Sequence, residues 1–260
     1  MEQGASQTHR QATSLLLDKA SADQGAHTTV ALLDPQAYAD FCTGTGLAPD
    51  SASSRARFTA HLATTGPTIP YTGQPLADLI PALVEEAVHQ ATQEYATTLL
   101  DGLGACPLCG EDLGLTAFTQ ASGLLARILG TARPGKHHLV CTVSAAPETL
   151  AAVLHADTDT DGTCRLDEAE TLELTTVLAA GLATRSPGGL VLRSSAANTP
   201  DQIYGWRLRQ GDAEPLTAGE VFDAYCTDSE TGNPIPPEPD VDYSAPPDLG
   251  PDTTLLAHRH

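Results

Sequence analysis

The sequence predicts a mainly helical α+β fold, a single globular domain with a small sheet, and three observations point there. Aromatic residues make up only 4% of the 260-residue chain, so Leu, Val and Ala must build the core. Ala and Leu lead the helix-propensity ranking. Leu79, Leu83, Ala87, Ala91, Tyr95 and Leu99 recur every four residues, the spacing of one helix face. Runs rich in β-branched residues are short and few.

Taken in order, residues 1–27 form a polar N-terminal segment with one short helical pattern at Ser14–Ala20. The globular part is expected over 28–227. Helices are predicted after Pro35 within Val30–Gly46, at Ser51–Thr65, at Leu76–Leu103 and at Leu115–Leu129. GPTIPYTGQP, 66–75, reads as a loop because Pro and Gly punctuate it. HLVCTVSA (138–145), GLVLRSS (189–195) and IYGWRLR (203–209) suit strands. Pro147–His155 and Asp167–Leu182 read as two helices, and Leu216–Tyr225 as a third, shorter one. Residues 228–260 are acidic and proline-rich, too poor in apolar surface to offset ordering entropy, and are expected to be a disordered tail.

The formal net charge of −20 argues against nucleic-acid binding, since such a field repels phosphates and no basic patch interrupts it. No stretch approaches the ~20 apolar residues that cross a bilayer, and the N-terminus does not read as a secretory signal. A cytoplasmic protein is expected. Its six cysteines are then thiols or metal ligands rather than disulfides.

HADTDTDGTCRLDE, 155–168, carries the most explicit chemistry. Asp157, Asp159 and Asp161 alternate, Gly162 follows, and Glu168 closes the series. A hard cation such as Ca²⁺ takes 6–8 oxygens at roughly 2.3–2.6 Å, and alternate carboxylates in a tight loop supply several of them. With the expected helices on both sides, residues 147–182 resemble a calcium-binding EF-hand. The resemblance implies Ca²⁺ held by Asp157, Asp159, Asp161, the Thr163 carbonyl and Glu168, and a sensor or ion-stabilised interaction module. Arg165 departs from the pattern, because it stands where an oxygen donor belongs. No second hand is visible, so self-pairing of two chains through this loop, or an unknown protein partner, is the implied complement. The competing reading is an Asp-Gly turn with capping carboxylates.

CPLCG, 106–110, has the form of a zinc knuckle, two thiols separated by two residues with a glycine behind them. Cys106 and Cys109 would need two more ligands for Zn²⁺; His137, His138 and Cys141 are the nearby candidates, with His138 and Cys141 the set preferred, or one of the three with Cys226 or Cys42. If 138–145 is a strand, His138 and Cys141 point to opposite faces. The same motif also suits a redox dithiol or plain buried thiols, so a zinc-dependent or thiol-based enzyme is the alternative to a calcium-binding protein. Glu85 and His89 share a helix face and are read as solvated. No phosphate loop, nucleophile elbow or HExxH helix appears.

Overall fold

In a computed structural model the structure describes residues 28–228 and 231–249, with the backbone of Ser14–Leu17. The chain divides into two compact units, Met1–Ala91 and Thr92–His260.

In the first unit, strands β1 (Ser14–Leu17), β2 (Thr29–Leu33) and β3 (Thr68–Pro70) form an antiparallel sheet in that order. Ser14–Leu17 is therefore extended and not helical, because its backbone pairs with Val30–Leu33. Asp34 ends β2 and caps helix α1 (Pro35–Thr45), accepting from the Gln36 amide at 2.8 Å. Pro35 fits the first helical position, where no amide is needed. Ser51 caps α2 (Ala52–Thr65) in the same way. Val30, Cys42 and Phe58 are buried, and the Tyr38 and Phe41 rings lie 5.2 and 5.3 Å from that of Phe58. Helix α3 (Leu76–Asp101) runs on from this unit into the next.

The second unit begins with α4 (Leu113–Gly130). Its sheet comprises β4 (Gly135–Ala145), β5 (Glu148–Thr158), β6 (Cys164–Leu166), β7 (Gly188–Ser195), β8 (Asp201–Arg209), β9 (Asp212–Pro215) and β10 (Val241–Tyr243). The order is β10-β8-β7-β4-β5-β6, with β9 also on β8. Pairing is antiparallel throughout except for the parallel β10–β8 pair. Helix α5 (Glu168–Thr184) packs against β4, β5 and α4, and every residue from Glu173 to Leu182 is buried. A helix that is apolar nearly all round is stable only when covered on several sides. Gly181 permits the close approach, since a Cβ there would lie 2.7 Å from Val143 Cγ2. Helix α6 (Ala218–Tyr225), held by a Thr217/Glu220 capping box, covers Ile203 and Gly205 of β8 on the other face.

The expected mainly helical fold with a small sheet is overturned: six helices and a seven-stranded sheet, among the described residues, make a mixed α+β fold. The decisive segment is Glu148–Thr158, which is a strand where a helix was expected. Leu150, Ala152, Leu154, Ala156 and Thr158 are buried in strict alternation, the first four opposite buried Val143, Cys141, Leu139 and His137 of β4. Tertiary pairing outweighs the helix propensity of its Ala and Leu residues. The proline-rich stretch also departs from expectation. Residues 241–243 pair with 201–203, and Glu238 meets Arg193 at 2.9 Å, so part of the tail lies along β8. Residues 250–260 lie outside the described residues. No described helix is long and apolar enough to cross a membrane.

Candidate functional site

The acidic loop is the tip of the β5–β6 hairpin. Asp157 lies in β5, opposite Lys136 on one side and Arg165 on the other. The Asp159 amide donates to the Thr163 carbonyl at 2.9 Å, and the Gly162 amide to the Asp159 carbonyl at 3.0 Å. Gly162 takes φ +87°, a conformation that favours glycine. Asp161 accepts from the Thr163 amide at 2.9 Å, which holds its carboxyl below the ordinary value. Asp159 is paired with the Arg165 guanidinium at 2.6 Å. Glu168 opens α5, while Asp167 caps that helix through the Ala169 and Glu170 amides. The helix expected before the loop is a strand, so the two-helix frame of a hand is absent here. The carboxylates do not fit a calcium shell as they stand. Arg165 occupies the neighbourhood of Asp159, and no group of three potential metal ligands converges among the described residues.

The zinc set is likewise not assembled. Strand parity places His138 on the outer face of β4, exposed, and Cys141 on the inner face, fully buried. Burial alone pushes the Cys141 thiol up to about 12, which suits a packed apolar group and not a ligand. The His138 ring instead stacks on His155 with centroids 4.8 Å apart, and His155 bonds Glu170 through Nδ1 at 3.1 Å. Cys106 and Cys109 do come together, in the turn before α4.

A cavity that local sequence reading missed lies at the same end of β4 as the acidic hairpin, next to the Lys136–Asp157 pair of the ladder. Residue parity turns His137 inward with Leu139 and Cys141, but α4 has already ended at Gly130. The imidazole therefore closes the core at its rim and lines a cavity of about 260 Å³. The cavity is shaped by the α4–β4 connection (131–134), the β7–β8 turn and the segment at Ala245 and Pro247. His137 is 3% exposed, its Nδ1 lies 2.9 Å from Ser194 Oγ across the β4–β7 ladder, the Arg133 carbonyl also faces the ring, and Nε2 is buried with no close hydrogen-bond partner. Ring nitrogens are strong polar groups, and burying one unpaired costs free energy. Arg133, Gln202 and Tyr204 also line the cavity. No carboxylate is among its lining residues, although the chain has 33 acidic residues and 13 basic ones.

Desolvation lowers the His137 value below the usual 6.5, with the Arg133 carbonyl and Asp157 opposing it. His138 is lowered too, by desolvation first and then by His155 and Arg193. The unfolded chain consequently binds more protons than the folded one just below 6.5. Stability from these groups is complete above that value and is lost as pH falls through the folded values. Urea midpoints at about pH 7.5 and pH 5 should show this drop, and His137→Gln should reduce the difference.

A profile for a domain of unknown function, DUF8829, matches residues 7–74, within the first unit. No curated protein and no solved structure matches the chain.

Proposed function

We propose that the second unit is a binding module for a small organic acid, held in the cavity around His137 and Ser194. The observation that carries this reading is a cavity beside the His137–Ser194 pair whose lining sets Arg133, Gln202 and Tyr204 among apolar walls and holds no carboxylate. Ligand sites combine apolar walls with a few converging polar groups. Here Leu192 and Pro134 supply walls, while Arg133, Ser194 and Tyr204 supply donors. At about 260 Å³ the cavity falls just below the ~300–1,000 Å³ common for ligand pockets, so the ligand is small. Arg133 is exposed and offers the carboxylate a forked donor at the rim. Saturation-transfer NMR with acetate, propionate and benzoate tests the reading. The signal should appear for at least one acid and vanish in Ser194→Leu, whose added bulk fills the cavity. A folded Ser194→Leu protein that binds the acids unchanged would refute it.

Calcium at the hairpin is a second reading, supported by the closed turn around Gly162 that carries Asp159 and Asp161, with Asp157 in the strand leading into it. Calcium would have to displace Arg165 from Asp159, an exposed pair that water already screens. Binding is then weak in the wild type, and Arg165→Ala should tighten it several-fold in a calorimetric titration. If neither protein releases heat at millimolar calcium, this reading ends.

A further inference from the structure

The cavity leaves the CPLCG turn unused, yet this turn is more completely organised than a chance pair of cysteines requires. Ala105 and Asp112 bridge its base, the Cys106 amide donates to the Glu111 carbonyl at 2.7 Å, and the Gly110 amide donates to the Cys106 carbonyl at 2.8 Å. Gly110 sits at φ +78°, which turns the following chain back under the sulfurs. Cys106 Sγ accepts from the Leu108 and Cys109 amides, and Cys109 Sγ accepts from the Glu111 amide. The two thiols also hydrogen-bond each other. Two sulfurs side by side, with three backbone N–H groups already aimed at them, are placed to share a cation. Outer-shell donors of this kind orient metal ligands.

We propose that Cys106 and Cys109 form half of a tetrahedral Zn²⁺ site completed by the same two residues of a second copy of the chain. Structural zinc takes four ligands, and thiolates at this spacing supply two. Among the described residues no third His, Cys, Asp or Glu joins them. The turn presents itself outward: Cys109 is exposed, Leu108 is 75% exposed, and Leu115, in the first turn of α4 beside the Asp112 cap, is 66% exposed. A two-fold axis through the ion would give it four equivalent sulfurs and bring these leucines together, the self-complementary arrangement of a symmetric dimer. Each zinc replaces four thiol protons, which leave to solvent, so the centre carries a net charge of −2 and forms more tightly as pH rises.

The full chain, purified in reducing buffer without chelator, decides this by elemental analysis and light scattering. About half a zinc ion per chain and a dimeric mass are expected. Chelator should give monomers, and added zinc should restore the dimer. Cobalt substitution should give the intense thiolate charge-transfer bands of a four-sulfur site. Cys109→Ser should lose the metal and the dimer together, with Trp206 fluorescence reporting that it still folds. One zinc in each monomer, no zinc at all, or a dimer that survives in Cys109→Ser would overturn the proposal. None of these outcomes depends on acid binding in the cavity.

Discussion

Leu178→Ala is expected to destabilise the second unit by about 2–5 kcal/mol, the range for deleting a large buried aliphatic side chain. Leu178 is fully buried at the middle of α5, within the cluster that also holds Leu139, Leu154, Leu190 and Trp206. Because α5 packs on the sheet and on α4 alike, neither side can collapse freely into the cavity, which places the cost toward the upper part of the range. Trp206, the only tryptophan in the chain, is 1% exposed in the same cluster and reports unfolding by fluorescence. Urea titration should show a lower midpoint with an unchanged slope. Leu172→Ala, on the same helix but 46% exposed, should change stability by no more than about 0.5 kcal/mol. Equal effects from the two would contradict the burial of α5.

Gly188→Ala should cost a comparable amount for the opposite reason. Gly188 pairs with Val143 at the start of β7, and a Cβ there would lie 2.2 Å from the Thr142 carbonyl oxygen. That contact is with backbone, so no side-chain rotation relieves it, and β4 and β7 must separate locally. Overpacking of this kind costs about 1–3 kcal/mol or more. Hydrogen exchange should show the loss concentrated in the amides of the β4–β7 ladder near Thr142, with α6 less affected. A protein as stable as the wild type would mean that the strands approach less closely than described.

Much of this frame is legible in the sequence. The ends of α2, α4, β7 and β8 fall within a few residues of the predicted spans, because Ser51, Gly130 and the turn residues around 196–200 carry local signals. Over Pro147–His155 the Ala and Leu content suggests a helix, where the structure has the strand Glu148–Thr158. Its alternation of Leu150, Ala152, Leu154 and Ala156 was nevertheless present, and period outranks propensity when a partner strand is available. That one misreading also produced the two-helix frame around Asp157–Glu168. The opposite orientations of His138 and Cys141 followed from strand parity and agree with the structure. The cavity was not legible. His137 and Ser194 are 57 positions apart, and only the β4–β7 register and the early end of α4 bring them to one rim.

The central claim is that a small acid binds in the cavity beside the His137–Ser194 pair, and ring-nitrogen NMR of ¹⁵N-labelled protein tests it most directly. Titrating propionate at about pH 7 should shift the His137 Nε2 resonance in a saturable way and leave the stacked His138 and His155 rings unmoved. An Nε2 signal that stays fixed while propionate is bound, or that moves only together with His138 and His155, would contradict the account.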